Sequence, residues 1–517
     1  MAELRLAEIL VGLSAVTDIG MGQPVGAAAR ACILAAWLAR SANFSDDDAR
    51  DVYYTSLLQH IGCTAYSHES ALFFADEQSV KQATQVTNFN DVKDIFLGYI
   101  PTITKNAPAG ERIHTLRSAL VQSRSITDGY MRSGCEVGFN MARRLGLSPG
   151  VQLGLLHIFE SWNGKGRPSR LKGESISPAT RLAHVAGYGS LFDRIGGVDA
   201  AISAVRKRAG GYLDPSLADH FCRHAQELLS ELSAVDALDA LGAAEPKPFM
   251  VVPEWHLDEL LRAFGDVVDL KAPYFHGHAS TVSSLCEKAA ERMGLGADDV
   301  TAVRRAGFVA DLGRAAIANG IWERSGPLRS DEWSQVRLHP YHSEQVLLRS
   351  PSLAPLAPVA GAHHERLDGS GYYRQSTASS LPATARILAA ADVYAAMIEP
   401  RPHRDALPPG KAADELGVAA REGLLDGDAV AAVLTVAGQS VPSVKREWPA
   451  GLSDRQVDVL RLVSEGFSNR EIAERLHIST RTAEHHVQDV YAKIGGSSRA
   501  AAALFAMEHH LLGPKDW

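Results

Sequence analysis

Apolar residues recur along most of the chain at intervals of three and four positions, which places them on one face of an α-helix. Clear examples are LDELLRAFGDVVDL (257–270) and SSLCEKAAERMGL (283–295). Alanine, leucine, glutamate and arginine dominate, and runs of β-branched residues, which favour strands, are short and few. The pattern predicts an all-α fold for the whole chain.

Two stretches interrupt the helical pattern and predict joints between domains. AAEPKPFMVVPEW (243–255) contains three prolines, and GQSVPSVKREWPAGLS (438–453) combines glycine, proline, serine and charge. A chain of 517 residues is also too long for a single core. We therefore expect three parts, with residues 1–245 and 246–440 as helical bundles and residues 441–517 as a smaller third domain.

The first two parts look like copies of one another. A shift of 205 residues superimposes two pairs of segments, and a shift of 251 superimposes two further pairs upstream. Because the shift is constant on each side of a single change, we infer one fold used twice, with about 46 extra residues in the first copy. The matched segments are TRLAHVAGYG (180–189) with ARILAAADVY (385–394), ESWNGKGRP (160–168) with ERLDGSGYY (365–373), LLQHIGC (57–63) with FVADLGR (308–314), and QPVGAAAR (23–30) with the segment ending at Thr281.

Composition narrows the class of protein. With 46% hydrophobic and 22% charged residues, the chain is typical of a globular protein. No apolar run reaches the roughly 18 residues of a transmembrane helix, and the N-terminus lacks the basic start of a signal peptide. The five cysteines form no CxxC pair, which favours reduced thiols in a cytoplasmic protein. A net charge of −8 does not itself indicate nucleic-acid binding, so we expect any DNA contact to belong to one domain.

The third part carries the start and stop signals of short helices. Ser453 with Gln456, and Ser468 with Glu471, fit the capping box of a helix start, and Gly466 stands where a helix end is expected. The order predicts a helix-turn-helix motif whose third helix is the recognition helix. The predicted helices span 453–465, 468–476, 479–494 and 498–510, with a tight turn at 477–478.

This part resembles the LuxR/GerE type of helix-turn-helix over about 60 residues, including SNREIA (468–473) and the residues around Thr482. The family commonly has Val-Lys after that threonine, where this chain has Ala483 and Glu484. A glutamate loses a cationic contact but can accept a hydrogen bond from a cytosine amino group. By the resemblance, the residues facing the major groove are Thr480, Arg481, Glu484, His485 and Gln488, and Lys493 lies near phosphate.

The charge of the third part predicts how it engages DNA. Residues 449–517 contain 8 Lys and Arg against 9 Asp and Glu. Few phosphate contacts imply weak binding by one copy of the domain. We therefore expect the chain to bind promoter DNA, a double-stranded partner, as a homodimer on two half-sites.

The middle part contains histidines and aspartates in a recurring order. The segments are FHGHASTV (275–282), ADLGR (310–314), RLHPYHSEQVL (337–347), HHERLDGSGYY (363–373) and ARILAAADVYAAM (385–397). They resemble the HD superfamily, and in particular its HD-GYP branch. In that family a helical bundle binds metal ions, and metal-activated water attacks a phosphodiester, often of a cyclic dinucleotide.

Carried over by position, the resemblance implies six metal ligands, suited to iron, manganese or zinc. They are His278, Asp311, His339, His363, His364 and Asp392. The histidine of the histidine-aspartate doublet is missing, because Ala310 occupies its place. Arg314 stands where the family often has lysine, and the glycine-tyrosine-proline turn reads Gly371-Tyr372-Tyr373. Loss of one ligand can preserve metal binding yet abolish the geometry that holds the attacking water.

In the first copy the same positions have lost their ligands. Five of the six replacing residues are small or apolar, and only the remaining histidine can bind a metal. Either neighbouring side chains fill the space, or a dry pocket remains that suits an apolar small molecule. The candidate pocket residues are Ala27, His60, Gly134, Ile158, Phe159 and Gly187.

Three functions are compatible with these patterns. The segments IWERSGPL (321–328) and LLDGDAVAAVL (424–434) further resemble actinobacterial HD-domain, LuxR-type transcription regulators. That resemblance implies a one-component regulator whose degenerate HD domains sense a small ligand or metal. The alternatives are a metal-dependent phosphodiesterase coupled to DNA binding, and a scaffold in which both copies are structural. Ala310 favours the regulator over the enzyme, because a working hydrolase should keep the doublet.

Overall fold

The computed structural model describes residues 3–64, 67–71, 77–88, 94–95, 99–101, 112–441, 448–476, 478–509 and 511. Helices make up most of these residues, and the only strands among them are β1 (Glu3–Arg5) and β2 (Val251–Pro253). The all-α prediction is confirmed.

The helices are labelled here in chain order within the described ranges. Those of the first copy are α1 (Leu6–Gly20), α2 (Ala27–Ser41), α3 (Asp46–Leu57), α4 (Ser67–Ala71), α5 (Glu77–Val86), α6 (Arg112–Arg144), α7 (Pro149–Leu156), α8 (Pro178–Arg208), α9 (Pro215–Ser233) and α10 (Ala237–Ala244). Those of the second copy are α11 (Leu257–Asp269), α12 (His278–Arg292), α13 (Ala297–Val309), α14 (Asn319–Trp322), α15 (Ser330–Val336), α16 (His339–Leu347), α17 (Ala357–Ala360), α18 (Ala383–Ile398), α19 (Pro409–Arg421) and α20 (Gly427–Val436). Those of the third part are α21 (Asp454–Ser464), α22 (Asn469–Arg475), α23 (Thr480–Ile494) and α24 (Arg499–Glu508).

The two copies meet through equivalent elements. Strands β1 and β2 pair antiparallel, with Leu4 opposite Val252. Helix α1 packs against the 3₁₀ turn Leu312–Ala316 of the second copy, and α11 packs against the 3₁₀ turn Ile61–Thr64 of the first. Since each copy gives the other the same pair of surfaces, the contact has the reciprocal form of a two-fold dimer interface within one chain.

A single hydrophobic core runs across this contact. Leu10 of α1 and Leu261 of α11 are fully buried in the same cluster, together with Leu353, which follows α16 in the second copy. A separate cluster lies among α12, α13, α18, α19 and α20, and a third lies in the helix-turn-helix part. Burial of so much apolar surface between the copies favours a fixed arrangement of the two.

The internal repeat predicted from the two shifts is confirmed in detail. Asp18 accepts hydrogen bonds from backbone N–H groups at the start of α2, and Asp269, 251 residues later, accepts one at the start of α12. Burial raises the pKa of both carboxyl groups to about 7. The residues before these helices, Gly26 and Gly277, both have left-handed backbones, with φ of 93° and 84°.

The loop that begins at the matched segments 160–168 and 365–373 also has the same structure in both copies. Glu160 is buried and accepts backbone hydrogen bonds from Ser169 (2.7 Å) and Leu171 (2.9 Å). At the shift of 205, Glu365 is buried and accepts from the N–H groups of residues 374 and 376, each at 2.7 Å. Each carboxylate therefore closes the loop that leads into the long helix α8 or α18.

The third part folds as four capped helices, as predicted. Each first turn is capped by a serine hydroxyl, and the capping boxes at Ser453 with Gln456 and Ser468 with Glu471 both form. Gly466 has a φ of 93°, which suits the end of a helix. Residues 442–447 of the predicted joint and residue 477 of the predicted turn lie outside the described residues.

The remaining composition-based predictions concern the thiols and the membrane. All five cysteines are free, and all except Cys222 are buried. Among the described helices, none is both long and apolar enough to cross a bilayer.

The paired glutamates yield a stability test. Replacing Glu365 with Ala should lower the free energy of unfolding by about 2–4 kcal/mol, because two buried backbone N–H groups lose a charged acceptor. Glu160→Ala should have a similar effect in the first copy, whereas Glu174→Ala, at an exposed position of the same loop, should change stability little. Urea unfolding followed by circular dichroism measures all three. Equal stability of Glu365→Ala and the unaltered protein would contradict the structural role of this carboxylate.

Candidate metal centre and nucleic-acid interface

Five elements of the second copy bring the six predicted ligands to one place. His278 begins α12, Asp311 follows α13, and His339 begins α16. The adjacent pair His363 and His364 follows α17, and Asp392 lies in the middle of α18. All are buried except His364, which is half-buried. The structure therefore collects side chains separated by 114 positions between His278 and Asp392 into one interior cluster.

One close approach of backbone fixes the relation between two of these elements. A Cβ atom on Gly313 would lie far inside van der Waals distance of the His339 carbonyl oxygen, so only glycine fits. The Gly313 N–H donates to Ser343 Oγ (2.8 Å), and this hydroxyl donates to the Ala310 carbonyl (2.5 Å). Asp311 is thereby held beside the first turn of α16.

The first ligand group joins His278 to two aspartates. His278 Nε2 lies 3.2 Å from Asp311 Oδ2 and 3.1 Å from Asp392 Oδ1. On its other side, His278 Nδ1 lies 2.9 Å from Glu399, which in turn binds Arg401 at 2.8 Å. A carboxylate on the far nitrogen of a histidine orients the ring and is typical of the support behind a metal ligand.

The second ligand group is formed by three histidines. His339 Nδ1 donates to the Val336 carbonyl and His363 Nδ1 donates to the Ala360 carbonyl, both at 2.7 Å. In the neutral imidazole, a proton on Nδ1 leaves Nε2 as an acceptor. The two Nε2 atoms lie 3.0 Å apart, with His364 completing the group.

This arrangement fits a bound cation. Two unprotonated nitrogens at 3.0 Å repel one another unless a cation lies between or beside them. Asp311 Oδ1 lies 3.4 Å from His339 Nε2 and 3.5 Å from His363 Nε2, and Arg314 Nε lies 2.8 Å from it as its ion-pair partner. Imidazole and carboxylate ligands together suit iron, manganese or zinc.

The pKa values in the cluster favour ligands in their metal-binding forms. Burial lowers the pKa of His339, and burial together with the neighbouring His363 lowers that of His364 well below its ordinary value. Burial opposes ionisation of Asp311, yet the Arg314 guanidinium and hydrogen bonds from histidines hold its pKa well below the usual range. Neutral imidazoles and an ionised carboxylate are the states that bind metals.

His278 differs from the other histidines. Burial alone would lower its pKa, but hydrogen bonds to three carboxylates raise it well above its ordinary value. Those carboxylates also balance the buried Arg314, whose guanidinium lies 3.4 Å from His278 Nε2 and 4.5 Å from the centre of the Phe275 ring. The first ligand group therefore contains positive charge of its own.

Two departures from the family pattern are visible in the site. Ala310 is buried in an apolar cluster, so a methyl group stands where the family has a ligand. Tyr372 lies over His364, with ring centres 4.8 Å apart, while the Tyr373 hydroxyl and Arg374 both bind Glu344. Tyr372 therefore lines the histidine group, whereas Tyr373 contacts Glu344.

In the first copy, the predicted pocket residues are arranged without a metal group. A Cβ atom on Gly134 would lie 3.0 Å from the Phe159 ring, and one on Gly187 would lie 3.5 Å from Gln59 Oε1. Burial lowers the pKa of His60 to about 4, and its Nδ1 lies 3.9 Å from Cys63 Sγ. Within the described residues, the first copy has no cluster of three metal-binding side chains.

The remaining pocket positions belong to the same region. Ile158 is buried, and its carbonyl lies 2.8 Å from His184 Nε2. Ala27 is half-buried in the first turn of α2. The Phe159 ring occupies space that the small residue at 134 leaves, which favours closure of the gap by neighbours at that point.

Two features of the site were not predicted from the sequence: the contact of Glu399 with His278, and the position of the Arg314 guanidinium inside the cluster. Glu399 follows Asp392 by seven residues, or two helical turns. It directly follows the last residue of α18 and therefore lies on the same side of that helix as Asp392. That spacing is a signal that the sequence already carried. The position of the Arg314 head group is set by packing on Phe275 and could not be read from spacing.

On the helix-turn-helix part, five of the predicted DNA-facing residues share the exposed surface of α23. Ala483, by contrast, is fully buried in the domain core, while Glu484 beside it is exposed. Lys493 is exposed, but its ammonium donates to the Gly451 carbonyl (2.6 Å) and to Gln456 Oε1 (2.8 Å). The exposed residues are Thr480, Arg481, Glu484, His485 and Gln488.

Two protein families match the chain. The HD domain family matches residues 262–429, and the luxR family of bacterial regulatory proteins matches residues 450–506. A putative HTH-type transcriptional regulator of Mycobacterium bovis, Mb0914c, is 52% identical over 54 residues, which are 10% of this chain and 6% of that protein.

The long relatives are phosphodiesterases. The 3'3'-cGAMP-specific phosphodiesterase 3 of Vibrio cholerae serotype O1 is 29% identical over 415 residues, covering 79% of this chain and 89% of that protein. A match of this length exceeds the second copy and must extend into the first. A crystal structure of a cyclic GMP-AMP specific phosphodiesterase of V. cholerae, V-cGAP3, has a TM-score of 0.58 at 25% identity and covers 84% of this chain and 98% of its own. The chain thus combines an HD domain with a C-terminal helix-turn-helix domain of the luxR family of bacterial regulatory proteins.

Proposed function

We propose that the protein is a one-component transcription regulator that binds promoter DNA as a homodimer and responds to a ligand held by its HD domains. The observation that carries this proposal is the coexistence of an exposed recognition face on α23 with a buried ligand cluster that lacks the doublet histidine. The cluster retains side chains that can bind a metal ion, and the C-terminal domain belongs to a family of bacterial regulatory proteins. In this proposal the domains are residues 1–245, 246–440 and 441–517, and the protein acts in the cytoplasm.

The metal would be held within the cluster that the six side chains form, in which Glu399 orients His278 from behind. A divalent ion bound there would neutralise charge on phosphoryl oxygens and polarise them. The protein's own contribution is to hold neutral imidazoles and ionised aspartates in a buried position, and to exclude bulk water from them. These properties favour capture of a phosphate-bearing ligand.

The chemical class of that ligand is a cyclic dinucleotide. Relatives of this chain are named for cleavage of 3'3'-cGAMP or cyclic di-GMP, and one of them matches over both copies. Tyr372 offers an aromatic face beside His364, which could stack on a base. Together these observations support 3'3'-cGAMP as the first ligand to test.

Hydrolysis of the same ligand is the second candidate function. Convergence of all six predicted ligands favours it. Against it stand the methyl group of Ala310 in place of a ligand and the guanidinium of Arg314 inside the cluster. Because a lost ligand can abolish the position of the attacking water while binding persists, we favour sensing.

The first copy serves, in this proposal, as a structural or sensory partner of the second. Phe159 beside Gly134 favours a filled interior there, and the reciprocal contact through β1 and β2 favours a structural role. An apolar ligand remains the alternative for the residues around His60.

The recognition face can be tested by substitution. Arg481→Ala and Gln488→Ala should each weaken specific binding to promoter DNA by about 1–3 kcal/mol, because each removes a side chain expected at a base edge. Arg421→Ala, an exposed arginine of α19 in the HD part, serves as the matched control and should leave affinity unchanged. Fluorescence anisotropy at a fixed salt concentration measures the affinities. If both helix variants kept the original affinity and sequence preference, α23 would not be the reading helix.

Ligand binding can be tested with 3'3'-cGAMP and Mn²⁺. We expect calorimetric binding of the dinucleotide to the Mn²⁺-loaded protein and little conversion to linear product. His339→Ala should weaken that binding by at least about tenfold, because it removes a group from the histidine cluster. His342→Ala, one helical turn away and outside the cluster, is the control. Rapid turnover would instead favour the phosphodiesterase, and tight binding by His339→Ala would argue against the cluster as the ligand site.

A further inference from the structure

The ligand cluster divides into two groups that differ in charge. In the histidine group (His339, His363 and His364), the rings of His339 and His363 are fixed by backbone carbonyls and their Nε2 atoms face one another. The aspartate group (His278, Asp311 and Asp392) is accompanied by Arg314.

The guanidinium of Arg314 lies inside the aspartate group, in contact with two of its members. Its Nε lies 2.8 Å from Asp311 Oδ1, and its NH2 lies 3.4 Å from His278 Nε2. The residue is only 6% exposed, and its guanidinium lies over the Phe275 ring. A guanidinium cannot lose its charge in a protein, so this position carries a permanent cation.

The guanidinium of Arg314 balances the negative charge of buried carboxylates around it. Glu399 behind His278 already has its own partner in Arg401, at 2.8 Å. Arg314 is therefore left to compensate the buried carboxylates of Asp311 and Asp392. A divalent ion bound between Asp311 Oδ2 and Asp392 Oδ1, the two oxygens that flank His278 Nε2, would meet the guanidinium at short range in a buried site, where like charges repel strongly.

We infer that Arg314 takes the place of a second metal ion, so that the chain binds one metal ion, at the histidine group with Asp311. This inference rests on the metal binding of the proposed function and specifies its stoichiometry. Asp311 belongs to both groups geometrically, because its Oδ1 faces His339 and His363 while its Oδ2 faces His278. One ion can then anchor a phosphate, whereas the paired-ion clamp of two-metal sites is not available.

The test is the number of metal ions per full-length chain. Protein stripped with chelator is reloaded with Mn²⁺, desalted, and measured by mass spectrometry of the metal, alongside an optical titration with Co²⁺. We expect one equivalent for the unaltered protein and two for Arg314→Met, which keeps an apolar stem but removes the cation. Arg304→Met removes a cation from a pairing with Asp258 and Glu287 outside the cluster and should retain one equivalent.

The outcomes separate this inference from the proposed function. Two equivalents in the unaltered protein, or one in a folded Arg314→Met variant, would overturn the role of Arg314 while leaving metal binding intact. No Mn²⁺ or Co²⁺ in any variant would overturn both the inference and the metal-dependent part of the proposed function. Circular dichroism checks that Arg314→Met is folded. If it is not, the Co²⁺ titration of the unaltered protein decides, since its end point falls at one equivalent or at two.

Discussion

The candidate site depends on a place where two segments of backbone approach too closely for any side chain. Gly313 lies against the His339 carbonyl, and 251 residues earlier Gly62 lies against the carbonyl of Gly134 in the same way. This contact seats the turn after α13 on the first turn of α16, and so brings Asp311 beside His339. In the first copy the contact is kept although the ligands are gone. The close approach is thus a requirement of the fold, and the metal chemistry is built on it.

Much of the fold could be predicted because the chain repeats itself. The two constant shifts pair Glu160 with Glu365, and both carboxylates close the same loop in the structure. Serine caps at 453 and 468 fixed the helix starts of the third part, because capping is a local interaction between neighbours in sequence. The pairing of β1 with β2 could not be predicted, since three residues carry too little pattern to identify a strand. The core shared between the copies was missed for a related reason: it depends on how two bundles pack against each other.

The candidate site was predictable in its members and less so in its arrangement. Family order alone placed His278 and Asp392 at one centre, and the structure brings them within 3.1 Å. The split into a histidine group and an aspartate group depends on side-chain direction, which spacing does not give. Lys493 illustrates the same limit, because the resemblance places it near phosphate while in this structure it binds the start of α21. Its prediction as a DNA contact requires it to leave those partners or to bind phosphate beside them.

The two copies are also joined at the edge of the candidate site. His68, in the extra segment of the first copy, binds Glu323 of the second at 2.7 Å, and Glu323 accepts from the Tyr274 hydroxyl. The Tyr274 carbonyl accepts from Arg401, which also donates to Glu399, the carboxylate behind His278. The extra residues of the first copy therefore support the surroundings of a ligand in the second. That connection gives the duplicated bundle a reason to persist without ligands of its own, because the second copy's site is held partly from the first.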